Sequence, residues 1–174
     1  MAKKTGATTL RDRRAARSRG AIVQGLVRSL GRRSWRDVDV GDLVREARVA
    51  RSTFYRHFTG KEDVLVASMS PMLTVLADRS GDAPARAAFE RLTDHLWSNR
   101  ALAREIFCGD RAFVIERALA ARVHDAAAPG RSRLEQRIDA IRIAAARIAI
   151  VRAWVTGEVS ARPADIAAAL AGVR

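Results

Sequence analysis

The residues best suited to specific chemistry form one short run, Arg51-Ser-Thr-Phe-Tyr-Arg-His-Phe58. At helical spacing, Arg51, Ser52, Tyr55 and Arg56 point away from the two phenylalanines. Arg51 and Arg56 can reach guanine edges, whereas Thr53, Tyr55 and His57 are suited to phosphate oxygens. The alternative is that Tyr55, His57 and Phe58 are ordinary core residues, and we favour that interpretation only for Phe58. The run therefore indicates a helix that binds DNA.

A second set of reactive side chains, His95, Cys108 and His124, raises the alternative of a Cys-His nucleophile or a metal site. No glycine-rich turn is present to form an oxyanion hole, and no acidic partners cluster with these residues. We therefore expect no catalytic residue, no metal and no cofactor. Redox sensing by Cys108 stays open.

The DNA-binding run needs a supporting helix and a tight turn. Asp39 is a plausible N-cap for a helix that reaches Ala47, and Arg48–Ala50 separate it from the run. Leu43 and Val49, together with Phe54, can hold the second helix against the first. The pattern predicts a helix-turn-helix over residues 39–58, whose second helix enters a major groove about 12 Å wide.

The charge is concentrated around this motif. Residues 1–61 hold 16 Lys and Arg against 5 Asp and Glu, whereas residues 62–174 hold 16 against 14. An arginine-rich composition alone would spread the charge evenly. A basic third joined to a nearly neutral remainder indicates a module that binds polyanions. We favour nucleic acid over a membrane surface, because no basic amphipathic helix carries a strong aromatic face.

The composition favours an all-α protein, with 5% aromatic residues and few β-branched runs. One cysteine excludes an internal disulfide, and the basic start without an apolar stretch predicts no signal peptide. We expect a cytoplasmic protein with about nine helices. Thr59-Gly-Lys-Glu62 and Ser132-Arg-Leu-Glu135 resemble capping boxes, and Pro71 should kink its helix. We divide the chain into a basic flexible arm with the start of the first helix (1–17), a DNA-binding domain (18–78) and a helical body (82–174).

The helix predicted over residues 133–156 has more apolar faces than a monomer needs. One stripe can pack against the body of the protein, and the other needs a partner. We expect a homodimer formed by this helix and by the final helix, which begins at Pro163. The alternative is that both stripes are buried within one chain. The predicted interface residues are Ile141, Ala145, Ile148, Arg152 and Val155.

A ligand pocket is less visible in the sequence. Aromatic and aliphatic residues of the middle helices can line a cavity between them, although such residues are more often core. The predicted pocket residues are Phe89, Leu92, His95, Leu96, Phe107 and Phe113.

The stretch from Asp39 to Asp63 closely resembles the TetR/AcrR family of bacterial transcriptional regulators, most specifically in Thr53-Phe-Tyr-x-His-Phe-x-x-Lys-Glu62. The resemblance implies a three-helix DNA-binding head and a helical body that binds ligands and dimerises. It also implies that Thr53, Tyr55, His57 and Lys61 contact the DNA backbone, whereas Arg51, Ser52 and Arg56 reach bases. We add Asp39 and Val40 to the predicted DNA-binding residues.

Two positions depart from the family pattern. Arg48 stands where glycine is usual in the turn, and Ala50 where a serine or threonine cap is usual. If Arg48 must adopt a positive φ, the strain is roughly 1 kcal/mol, and the missing cap costs about as much. The alternative is a helix that starts later, with Ser52 as its cap, which would shift Arg51 from base to backbone contact.

These observations predict a homodimeric repressor that binds a palindromic operator in double-stranded DNA and is released by a small-molecule effector. The alternatives are a DNA-binding regulator without small-molecule control, whose body dimerises or docks a protein partner, and a protein that coats DNA through charge alone. They differ in specificity, because only the regulators keep a large preference for one sequence.

Overall fold

The computed structural model describes residues 10–127 and 130–173, and the regular structure of these residues is entirely helical. The predicted arm at residues 1–8 lies outside the described residues, as do Ala128 and Pro129 of the predicted chain break. The all-α prediction is confirmed, with ten α-helices in the described ranges where about nine were expected. They are α1 (Leu10–Leu30), α2 (Val40–Ala47), α3 (Arg51–His57), α4 (Lys61–Ser68), α5 (Ser70–Ala77), α6 (Ala83–Ser98), α7 (Arg100–Phe107), α8 (Asp110–Asp125), α9 (Arg133–Thr156) and α10 (Pro163–Gly172).

The chain divides into two compact units, of which the first ends at Met69 and the second begins at Ser70. The division coincides with the break between α4 and α5. Pro71 lies in the first turn of α5, where its missing N–H leaves no hydrogen bond unmade. The kink expected at Pro71 is therefore a boundary between two helices.

In the first unit, α1 packs against α2, α3 and α4. Ion pairs join the end of α1 to α2, because Arg28 and Arg32 contact Glu46, and Arg33 contacts Asp42 at 3.0 Å. The apolar core beneath them comprises Ile22, Leu26, Trp35, Val38, Leu43, Phe54, Phe58, Val64 and Leu65.

Local hydrogen bonds explain where several helices begin. Ser132 forms the expected reciprocal capping box with Glu135, and Asp39, expected only as an N-cap, forms one with Asp42. The capping box predicted at Thr59 and Glu62 is wrong, because the N-cap of α4 is Gly60 and no side chain caps it. Thr59 instead donates its backbone N–H and its hydroxyl to Asp63, one residue further along.

In the second unit, the long helix α9 packs against α7, α8 and α10, and α10 packs against α6. α9 ends where the sequence predicted, at Gly157, whose φ of 90° suits glycine. Arg100 of α7 donates to the carbonyl oxygens of Trp154 and Val155, the last of these at 2.8 Å. A cation therefore lies at the negative end of the helix dipole.

Candidate nucleic-acid interface

The supporting helix α2 is fixed by its first turn. The carboxylate of Asp39 accepts a hydrogen bond from the backbone N–H of Asp42 at 2.7 Å. The pKa of Asp42 is lowered, first because it accepts a hydrogen bond from the N–H of Asp39, and second because Arg45 donates to it. Asp39 therefore acts as a helix cap in the structure, and its predicted contact with DNA, like that of the adjacent Val40, stays a prediction.

The turn between α2 and α3 contains the expected strain. Arg48 has φ 52° and ψ 46°, which makes it the only described residue other than glycine with a positive φ. Ala50 precedes α3 without any side-chain hydrogen bond, and α3 begins at Arg51. The alternative start with Ser52 as the cap is not observed.

Helix α3 is held by one face and leaves the other exposed. Phe54 is fully buried and Phe58 nearly so, so the interpretation of Phe58 as a core residue is confirmed. Tyr55 is 52% exposed and meets Phe54 edge to face at 5.3 Å, a contact that orients its hydroxyl outward. The other exposed residues on α3 are Arg51, Ser52 and Arg56.

The cations of this exposed face are not neutralised within the described chain. Arg56 contacts only the hydroxyl of Thr53, at 3.4 Å, and Arg51 forms no ion pair with a described carboxylate. Arg28 and Arg33, in contrast, are paired with Glu46 and Asp42. The face of α3 therefore keeps its positive charge available for an anionic partner.

Lys61 has a role that the sequence did not reveal. Its ammonium donates to the carbonyl oxygens of Trp35 at 3.0 Å and Val38 at 2.8 Å, and it lies 4.6 Å from the centre of the Trp35 ring. These contacts tie α4 to the loop before α2 and leave one of the three ammonium N–H groups for a phosphate. The Nε2 atom of half-buried His57 has no hydrogen-bond partner in the described structure.

The six residues predicted to line a pocket are not brought together. Phe89, Leu92, Leu96 and Phe107 are buried in the core of the second unit. His95 is exposed and lies beside Asn99 of its own helix. Phe113 is 62% exposed, with the Arg117 guanidinium above its ring. An internal cavity needs side chains that point inward. The exposed side chains of His95 and Phe113 therefore do not fit the predicted pocket lining.

The residues predicted for the dimer interface likewise divide into exposed and buried ones. Ile141 is 52% exposed, Arg152 is exposed and Ala145 is half-buried, but Ile148 and Val155 are buried within their own unit. The predicted stripe followed steps of three, four or seven residues, and a seven-residue repeat drifts by about 20° per step around a helix of 3.6 residues per turn. The exposed apolar stripe of α9 therefore lies towards its start, at Leu134, Ile138 and Ile141.

The described residues contain no cluster of side chains able to hold a metal ion. None of the described helices is long and apolar enough to cross a membrane.

Replacing Arg48 by glycine should stabilise the protein. The left-handed conformation costs an L-residue roughly 1–2 kcal/mol, part of which glycine offsets through its greater freedom when unfolded. We expect R48G to raise the free energy of unfolding by about 1 kcal/mol in urea titrations. R48A removes the charge but keeps the β-carbon, so an equal gain in R48A would show that strain is not the cause.

Comparisons with known proteins agree with this geometry. Residues 22–67 match the family model of bacterial regulatory proteins, tetR family. No protein with a curated description matches the chain. A TetR transcriptional regulator from Streptococcus agalactiae 2603V is similar in structure, with 16% identity, a TM-score of 0.58, and 93% of this chain and 96% of that chain covered.

A second similar structure is the dihydroxyacetone kinase operon activator DhaS, with 19% identity, a TM-score of 0.51, and 88% and 91% of the two chains covered. At such identities the likeness shows a common fold. The matched family is one of regulatory proteins, and the match spans α2, the strained turn and α3. Together, these comparisons show that residues 22–67 are similar to the DNA-binding part of bacterial regulators of the tetR family, and that the described chain shares the fold of a TetR transcriptional regulator.

Proposed function

We propose that the protein is a homodimeric repressor that binds a palindromic operator and is released by a small-molecule effector. The observation that carries the sequence-reading part is the exposed face of α3. Arg51, Ser52, Tyr55 and Arg56 lie outward on a helix that buried Phe54 fixes in place. Arginine can discriminate guanine in the major groove, and the tyrosine and serine hydroxyls can bond phosphates or bases.

The remaining predicted contacts serve to position the protein on DNA. We assign phosphate contacts to Thr53, Tyr55 and His57, and to the third N–H of Lys61. The buried Nε2 atom of His57 has no hydrogen-bond partner in the described structure. This supports the role of His57, because such an atom gains most from a new hydrogen bond. This activity belongs in the cytoplasm, where bacterial DNA is found.

Dimerisation is assigned to the second unit. The exposed apolar stripe of α9 continues through Ala145 to Arg152, and it supports a self-complementary interface between two copies. Small residues on the outer side of α10, among them Ala168, allow the close approach of a second helix. A two-fold dimer would present two α3 helices to half-sites about 34 Å apart.

Effector control is the finer part of the proposal. A compound that enters between the core helices of the second unit would shift the spacing of the two DNA-binding units, provided that it binds one spacing better. The alternative is a regulator without small-molecule control. It is favoured by the tight burial of Phe89 and Phe107, which are 1% and 0% exposed. The similar protein DhaS is named an activator, so activation is the alternative to repression.

The first experiment is selection of bound fragments from the source genome by the purified protein near physiological salt, followed by sequencing. Enrichment of a palindrome would support a dimer that reads sequence, and broad binding without a motif would contradict it. The genes beside the enriched sites then supply compounds to add to an operator-binding assay. An effector should lower operator affinity, whereas a regulator without such control responds to none of them.

Replacing Arg56 by alanine tests the reading of bases. We expect R56A to weaken binding to the selected operator by about 1–3 kcal/mol, or roughly 5- to 150-fold, and to relax one base position. R91A, on the exposed surface of α6, is the matched control and should bind as the wild type does. Equal losses on every DNA sequence would show that Arg56 contacts only phosphate.

A further inference from the structure

Helix α1 extends well beyond the part of the chain that matches the family. The match begins at residue 22, whereas α1 begins at Leu10. The intervening 12 residues make about three helical turns and span roughly 18 Å. We call the described side chains of this segment, residues 12–21, the basic overhang.

The arginines of the basic overhang are exposed and lack acidic partners. Arg13, Arg14 and Arg17 all lie at the surface, and none forms an ion pair with a carboxylate in the described part of the chain. At the other end of the same helix, Arg28 is paired with Glu46 across the α1–α2 contact. The uncompensated charge of α1 is therefore concentrated at its start.

This charge opposes helix formation in the protein alone. Arg13 and Arg17 are four residues apart, and Arg14 and Arg17 are three apart, so like charges are neighbours on the helix surface. Arg13 also lies in the first turn of α1, at the positive end of the helix dipole, where acidic residues are favoured. Asp12 is the one acidic residue in the first turn. A polyanion along this surface would offset both the repulsion between the arginines and the unfavourable interaction of Arg13 with the helix dipole.

The basic overhang continues directly from the candidate DNA interface. The guanidinium of Arg19 lies 5.4 Å from the centre of the Phe58 ring, at the end of α3. Two turns of helix separate this contact from Arg13. The only apolar side chains between them are Ala15 and Ala16, which offer a lipid bilayer nothing to insert. Charge and position together favour DNA as the partner.

We propose that Arg13, Arg14 and Arg17 bind the phosphate backbone of DNA beside the half-site that α3 contacts. This inference rests on the proposed DNA-binding function and extends its footprint. From Arg13 to Arg17 the helix rises about 6 Å, a length that parallels about two base pairs. The contacts add affinity without reading sequence, because phosphates are alike at every position.

The test is the triple variant R13Q/R14Q/R17Q in the full chain, titrated with the selected operator at several salt concentrations. Each lost phosphate contact should reduce the slope of log affinity against log salt by about 0.9, so the three arginines of one copy should account for nearly 3 and those of a dimer on its palindrome for about 5. Nuclease footprints should shorten by about two base pairs on each flank. The preferred sequence should not change.

The matched control is R86Q/R91Q/R104Q, which removes the same charge from exposed positions on α6 and α7. It should keep the wild-type slope and footprint. An equal fall in slope for both triple variants would overturn the proposal, because net charge alone would then explain the effect. Because the substitutions remove the repulsion between like charges, R13Q/R14Q/R17Q should melt at the wild-type temperature or higher. That result would exclude unfolding as the cause of its weaker binding.

Failure of this inference is distinguishable from failure of the proposed function. If the wild type selects a palindrome and R13Q/R14Q/R17Q keeps its slope and footprint, the basic overhang does not bind DNA. If the wild type selects no palindrome, the proposed function fails in its own experiment. In a second test, the binding of the wild type and of the triple variant to vesicles containing phosphatidylserine is measured. A triple variant that loses vesicle binding and keeps its DNA affinity would overturn the assignment to DNA.

Discussion

The variant I141K should be a monomer that binds its operator roughly 100- to 10,000-fold more weakly than the wild type. Ile141 lies in the exposed apolar stripe of α9 and is 52% exposed. In the proposed dimer a lysine at this position would face its equivalent in the second copy near the two-fold axis, so burial of the interface would bring two unpaired cations together. Once the dimer separates, the second half-site no longer binds in an intramolecular step.

The measurement combines light scattering after gel filtration with operator titrations at the same protein concentration. L102K is the matched control, since Leu102 is a comparably exposed apolar residue on α7, and it should remain dimeric. The free energy of unfolding of the I141K monomer should change by no more than about 0.5 kcal/mol apart from the lost dimer contribution. A wild-type monomer at micromolar concentration, or a dimeric I141K, would contradict the proposed interface.

The sequence predicted those parts of the fold that depend on interactions between neighbouring residues. Asp39 and Ser132 are recognisable as caps because their partners stand three residues away. Arg48 was recognisable as strained because a tight turn needs a positive φ. Thr59 misled the same reasoning, because Asp63 and Glu62 are both within reach of its side chain and only the structure shows which one it contacts.

Interactions between distant parts of the chain were harder to predict. The contact of Lys61 with the carbonyl oxygens of Trp35 and Val38 joins residues more than 20 positions apart, and no local pattern indicates it. The outward position of Phe113 was missed because an aromatic residue within a helix is usually core. Ile148 and Val155 were misplaced because a seven-residue pattern drifts around a straight helix.

Arg147 is the only charged side chain that is fully buried in the described structure, and no local pattern in the sequence indicates its burial. Its guanidinium donates to the carbonyl oxygen of Leu76 near the end of α5, and to that of Val173 after α10, at 2.8 Å. It also lies 5.1 Å from the centre of the Phe89 ring. One side chain of α9 thus joins the ends of two other helices.

The burial of this cation has a cost. Removal from water lowers the pKa of Arg147 from its ordinary value to about 10, and the nearby charge of Asp78 only partly opposes that shift. The side chain is charged at neutral pH, where the shift corresponds to roughly 3 kcal/mol against folding. Its hydrogen bonds and its packing must offset that amount.

We expect R147A to destabilise the second unit by about 3 kcal/mol, because it leaves a cavity and two unpaired carbonyl groups. R147M keeps most of the volume and removes the buried charge, so its loss should stay below about 1 kcal/mol. Urea titrations of both variants measure these losses. An R147M loss as large as that of R147A would show that the hydrogen bonds to the two helix ends outweigh both packing and desolvation.

The pH dependence of the same variants separates charge from packing. Because the folded pKa of about 10 lies well below the ordinary value for arginine, the folded protein releases this proton first as the pH rises. The wild type should therefore gain stability relative to R147M above pH 10, by about 1.4 kcal/mol at pH 11, with no difference in slope between pH 7 and 9. Taking the difference between the two proteins cancels the titration of the other groups. A constant difference from pH 7 to 11 would mean that Arg147 keeps its proton, and that its hydrogen bonds to Leu76 and Val173 fully replace the water it has lost.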